Sequence, residues 1–170
     1  TQVSPSEYTV TIDVALLEGD VEVSLAAGVA EDLAGNPSEV SNTESVTVDR
    51  TAPVPVVTYD GDNPTNADEL TFTVSFGEDV TDFDDTDDVT VTNGVATAIT
   101  PVSGSEYTVT VLVAPDADVE MFVPAAVATD LAGNPNGPSN TVAVTVDHTG
   151  PTVAVVAPND EIEVGDDAVF

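Results

Sequence analysis

The sequence predicts an all-β fold of tandem β-sandwich modules joined by short Pro-containing linkers, and three observations carry that prediction. Apolar and polar residues alternate in "YTVTIDV", "VEVSL", "ESVTVD", "LTFTVSF", "DVTVT", "YTVTVLV" and "TVAVTVD", the pattern of strands with one buried face. Pro, Gly, Asn and Asp gather between these runs, as in "YDGDNPTNAD" and "AGNPNGPSN", where they make turns, and no comparable stretch has helical spacing. The chain also repeats itself: "AEDLAGNPSEVSN" at 30–42 returns as "ATDLAGNPNGPSN" at 128–140, an offset of 128 − 30 = 98 residues.

The register persists downstream, where "VTVDRTAP" at 46–53 matches "VTVDHTGP" at 144–151 and residues 51–72 align with 149–170. Upstream, "SEYTVTIDV" from Ser6 meets "SEYTVTVLV" from Ser105 at an offset of 99, so one residue is gained near Glu18, in the turn between two strands. A period near a hundred residues is that of a whole domain. The alignment predicts the C-terminal half of one repeat over 1–49, a complete repeat over 50–147 and the opening strands of another over 148–170. About seven short strands per repeat argue for an immunoglobulin-like β-sandwich. The absence of Cys and Trp excludes an antibody-type core. The edges "DRTAP" and "DHTGP" end in Pro, which fixes φ and extends its predecessor, so the linkers are short and stiff and favour a rod.

Composition narrows the function. The 170 residues are 41% hydrophobic and 5% aromatic, enough for a small Val, Leu, Ile and Ala core per repeat. Cysteine is absent, which removes disulfides and thiolate metal sites. Lysine is absent too, and Arg50 is the only Lys or Arg, so no Lys–Asn isopeptide crosslink forms. A net charge of −31 with 32 acids excludes nucleic acid and anionic membrane surfaces as partners. No run is long enough for a transmembrane helix, and no signal peptide opens the sequence. Such acidity suits a divalent-rich extracellular space or a high-salt medium that screens the acids.

The stretches "PTNADELTFTVSFGEDVTDFDDTDDVTVTNG", "SEYTVTV", "ATDLAGNPN" and "VTVDHTGP" together resemble the tandem bacterial Ig-like repeats of large surface adhesins and biofilm-associated proteins. The resemblance implies an extracellular stalk that projects an adhesive or enzymatic tip and is stiffened by Ca²⁺ at the repeat junctions. At "FGED" the chain departs from the family's Ser-Glu-Pro but keeps the acid as Glu78.

Ca²⁺ takes six to eight oxygen ligands. Asp32 and Asn36, repeated as Asp130 and Asn134, place side-chain oxygens four residues apart around a Gly, a spacing that one ion or an Asp-capped turn explains equally. The linker acids Asp49 and Asp147 form a second candidate set with the acids of the "YDGDN" loop. With loops placed as the resemblance implies, Asp49 meets Glu78, Asp79 or Asp88 of the following repeat, and one ion ties two repeats together. The run at 77–91 is denser in acid, but Val80, Phe83 and Val89 interrupt it and predict an anchored loop. Some of Asp82, Asp84, Asp85, Asp87 and Asp88 are further candidate ion ligands, and most of these acids are read as solvation.

Nothing points to catalysis. His148, the only His, lies in a linker and is read as solvated, at the position that Arg50 holds one repeat earlier. Acid pairs arise by chance in so acidic a chain, and neither a phosphate-binding Gly loop nor an HExxH motif is present. The predicted role is therefore a calcium-rigidified extracellular spacer. Its partners are neighbouring repeats of the same chain, with other copies and surface glycans as further candidates. The alternative is a calcium-dependent glycan or cell-surface binding module using Tyr59 and Phe83. A third reading takes the acidity as high-salt adaptation alone.

Overall fold

Most of the period-two runs become strands in the computed structural model, which describes residues 2–4, 6–15 and 18–156. The N-terminal part holds β1 (Gln2–Ser4), β2 (Glu7–Tyr8), β3 (Gly19–Val23) and β4 (Glu44–Val48). There follow β5 (Val56–Thr58), β6 (Glu69–Ser75), β7 (Val80–Thr81), β8 (Thr90–Thr92) and β9 (Gly94–Pro101). The last four are β10 (Glu106–Val113), β11 (Asp118–Phe122), β12 (Thr129–Asp130) and β13 (Val142–Thr145). One turn of 3-10 helix, Thr86–Asp88, separates β7 from β8.

From β5 onward the strands make two sheets, ordered β5-β6-β10-β9 and β13-β11-β8, with the short ladder β12-β7 at one end. Alternation decides which side chains go inside. Val109 faces Phe72 and Val111 faces Leu70 across β10 and β6; Val119 faces Val144 across β11 and β13. All six are at most 1% exposed and share one core with Val57, Val74 and Met121. Each such burial stabilises by roughly 1.5–3 kcal/mol, before the entropy of ordering the chain is subtracted. The result is the predicted immunoglobulin-like sandwich.

The acidic run folds over apolar anchors, as its pattern predicted: Val80, Phe83 and Val89 are buried. Phe76, Phe83 and Tyr107 meet edge to face, with ring centroids 5.1 to 5.9 Å apart. The Tyr107 hydroxyl donates to the Val80 carbonyl at 3.3 Å. This aromatic floor anchors the acidic loop to the core.

Several expectations change. "YTVTIDV" predicted a strand over 8–14, yet only Glu7–Tyr8 is one; its counterpart β10 is held between β6 and β9, whereas among the described residues the ladder partner here is β1, which reaches only Glu7 and Tyr8. The eight-residue β9 was not predicted, because an Ala and Thr alternation bounded by Gly94 and Pro101 gives little hydrophobic contrast. No strand forms at 148–156, and the rest of the predicted opening strands, 157–170, lie outside the described residues.

Candidate metal centre

The duplicated sequence holds a duplicated turn. Asp130 Oδ1 accepts from the backbone N–H groups of Ala132 and Asn134 at 2.9 and 2.8 Å, and Oδ2 accepts from Asn134 Nδ2 at 2.8 Å. Asp32 repeats all three bonds, to Ala34, Asn36 and Asn36 Nδ2, at 2.8, 2.9 and 2.8 Å. Gly35 and Gly133 take φ of +84° and +91°, the left-handed conformation that this turn requires and that glycine adopts without strain. The Asp-capped turn is thus formed at both copies.

The second copy has an additional feature. Asp130 is 4% exposed, whereas Asp32 is exposed. One carboxylate oxygen each from Asp49, Glu78 and Asp130 lies within 4.8 Å of the others. Three segments meet here: the linker after β4, the turn from β6 to β7, and the end of β12. Pairing of β12 with β7, Asp130 opposite Val80, carries the second and third together. Asn134 adds the first, since its Nδ2 also donates to the Asp49 carbonyl at 3.1 Å.

The electrostatics are those of converging negative charge. Burial, then the charges of Asp130 and Asp49, hold the Glu78 carboxyl above its ordinary range. At Asp130 burial also raises the pKa, but hydrogen bonds from Asn134, Ala132 and Gly133 outweigh it and leave the group below its ordinary value. Asp32 is lowered by its bonds from Asn36 and Ala34. The donor set fits a hard divalent cation: all three groups are carboxylates, and Ca²⁺ at roughly 2.4 Å from each ligand spans opposite oxygens about 4.8 Å apart.

The other candidates lie elsewhere. Asn36 and Asn134, expected to offer side-chain oxygens, instead direct their amide nitrogens at Asp32 and Asp130, so they orient carboxylates. Asp88 Oδ2 accepts from the backbone N–H groups of Asp84 and Asp85 at 3.1 and 2.9 Å and so reaches back to Asp85, the N-cap of the 3-10 turn. Asp79 packs over Gly104, where an added Cβ would come within 2.5 Å of its Oδ1. Neither joins the Asp49 cluster. Asp147 repeats the local bond of Asp49, each accepting from the N–H two residues on at 2.9 Å. It lines an open cleft of about 280 Å³ with Asp62, Pro64, Thr65 and Asn66.

His148, taken as solvated, is exposed, with Nε2 3.4 Å from Oδ1 of the exposed Asp68. One more reading is corrected. Phe83, a proposed glycan contact, is 2% exposed in the aromatic floor; Tyr59 is half-buried with its ring centroid 5.4 Å from that of Phe72. The glycan reading therefore loses its aromatic platform.

Among the described residues no helix is long and apolar enough to cross a membrane. Residues 49–146 match the family model described as a bacterial Ig-like domain. A search of curated proteins finds no match.

Proposed function

Because the chain belongs to the bacterial Ig-like domain family, a family of non-catalytic structural modules, we propose that it is an extracellular spacer of tandem repeats whose junctions are rigidified by calcium, as in the stalk of a large surface adhesin. Tandem organisation is supported by hydrogen bonds that recur at the repeat offset. Thr47 Oγ1 donates to Asp20 and Thr145 Oγ1 to Asp118, at 2.6 and 2.7 Å. Ser41 and Ser139 accept from the N–H of Leu25 and Val123, at 2.7 and 2.8 Å.

The convergence of Asp49, Glu78 and Asp130 within 4.8 Å carries the calcium reading. Asp49 belongs to the linker, whereas Glu78 and Asp130 belong to the repeat that follows. Bound calcium supplies the positive charge that lets these three carboxylates approach. Asn134 holds the linker carbonyl in register, and the Ala132 and Asn134 N–H groups fix the Asp130 carboxylate. With that set neutralised, the linker is drawn onto the following repeat and the joint loses its freedom. An ion bound only by the folded state adds about 2.7 kcal/mol at a hundredfold excess over Kd.

Calorimetric titration of the full chain with CaCl₂ tests this reading. A saturable site is expected that is lost in Asp49→Asn and in Asp130→Asn. An absence of heat from the parent at millimolar calcium, or a variant isotherm identical to the parent's, would contradict it.

A further inference from the structure

The complete repeat has four sheet edges, β5, β9, β13 and β8, and it protects three of them. On β13, Asn63 accepts from the Thr145 N–H and donates to the Ala143 carbonyl, at 3.0 and 3.2 Å. Thr65 continues that cover, donating to the Thr145 carbonyl and accepting from the Asp147 N–H at 3.0 and 2.9 Å. On β5 the side-chain amide of Asn140 takes both the N–H and the carbonyl of Val57, each at 2.9 Å. β8 is only three residues long and closely follows Asp87 and Asp88; short strands and nearby charge are ways of blunting an edge. β9 has none of this protection. It is eight residues long, and among the described residues its hydrogen bonds go to β10 alone. The 3-10 turn at 86–88 lies beside it without bonding to it. Residues 89–105 also hold no charged side chain, in a chain with 32 acids. Val95 and Leu112, which face each other across β9 and β10, are 65% and 52% exposed. A long, uncharged, unpaired edge is a template for another strand.

Charge indicates which strand that is. A basic partner would gain from acids along the edge, so leaving them out favours only a partner that is itself acidic. A second copy, at a net charge of −31, is such a partner. We propose that two copies of this chain pair laterally through β9, antiparallel and about a two-fold axis, so that their sheets become continuous. Centred between Thr97 and Ala98, the pairing keeps the two faces distinct. Val95 meets Thr100, both exposed, and Ala96 meets Ile99, both packed against the core. Backbone hydrogen bonds and burial of Val95 and Leu112 drive association. The acids elsewhere on both copies oppose it, so the dimer strengthens as salt screens them. One strand edge is a small interface, and the pairing is correspondingly weak. It requires neither calcium nor the linker site.

Analytical ultracentrifugation of the full chain in chelator and about 1 M NaCl, where the screening length is about 3 Å, tests the pairing over a range of protein concentrations. The parent is expected to pass from monomer to dimer, and Val95→Asp to weaken that dimer roughly tenfold or more by setting like charges along the seam. Val56→Asp adds the same charge at a site 53% exposed on β5, the opposite edge of the same sheet, and is expected to leave the dimer unchanged. Hydrogen exchange reads the edge in the parent without any substitution: exchange over 94–101 should slow as the dimer forms, and exchange over 56–58 should not. A parent that stays monomeric, an unweakened dimer in Val95→Asp, equal weakening by both substitutions, or a dimer without slowed exchange at 94–101 would overturn the proposal.

Discussion

Glu78→Gln keeps the side chain's shape and removes its charge, and its effect is expected to change sign with calcium. In chelator, three carboxylates converge within 4.8 Å, and the raised pKa of Glu78, from burial and then from Asp130 and Asp49, shows that its charged form is disfavoured. The variant should therefore be at least as stable as the parent. In calcium it has lost one of three carboxylate ligands. At a hundredfold excess over the parent Kd the ion adds about 2.7 kcal/mol, and a tenfold weaker site leaves about 1.4 kcal/mol. For a domain of this size each kcal/mol moves the melting temperature by about 4–8 °C. Calcium should then raise the parent by roughly 11–22 °C and Glu78→Gln by about half as much. The chain has three Tyr and no Trp, so tyrosine fluorescence or calorimetry can follow the transition. An equal calcium rise in both proteins would remove Glu78 from the site. A variant less stable than the parent in chelator would refute the repulsion argument.

Asn136, 2% exposed, accepts from the N–H of Val127 and Ala128 and donates to the carbonyls of Pro124 and Gly137, at 2.7 to 2.9 Å. Asn136→Ala strands those groups and should cost roughly 3–5 kcal/mol in urea unfolding; a loss under about 1 kcal/mol would contradict that role. Asp88→Ala removes the acceptor of the Asp84 and Asp85 N–H groups and should cost about 1 kcal/mol while leaving the calcium isotherm unchanged; weakened calcium binding would return Asp88 to the site. The pH dependence in chelator follows from two opposite shifts. The stabilisation from protonating Glu78 is fully present below its ordinary 4.5 and is lost as pH rises through its raised folded value. That of ionised Asp130 is present above its ordinary 3.8 and is lost as pH falls through its lowered folded value. Stability of the parent relative to Glu78→Gln should therefore rise as pH falls from neutral toward 4.5, and a flat difference in urea midpoints would contradict the shift.

The sandwich was legible in the sequence because β6, β10 and β13 each bury one face and leave the other polar, so period two survives in the residue order. β9 was not legible, since Ala and Thr differ too little for the pattern to register. Asp49 and Glu78 fell into one expected cluster because the resemblance to tandem Ig-like repeats puts the loop of Glu78 at the end that meets the linker. Asp130 was assigned to a separate loop site, and what brings it in is the pairing of β7 with β12, two residues each, too short to leave any periodicity. The orientation of Asn134 was hidden for a different reason: spacing places its side chain near Asp130 but does not say which amide atom faces the carboxylate. Asp88 likewise reads as a free acid until the 3-10 turn in which it reaches back to Asp85 is known.

Thermal unfolding of the full chain in chelator, in millimolar CaCl₂ and in about 1 M NaCl, where the screening length falls to about 3 Å, tests the central claim most directly. Specific coordination predicts a calcium-dependent rise in melting temperature that NaCl does not reproduce and that Asp49→Asn removes. Equal rescue by NaCl would mean that the acids need only screening, and the convergence of Asp49, Glu78 and Asp130 would then be a solvated acidic rim.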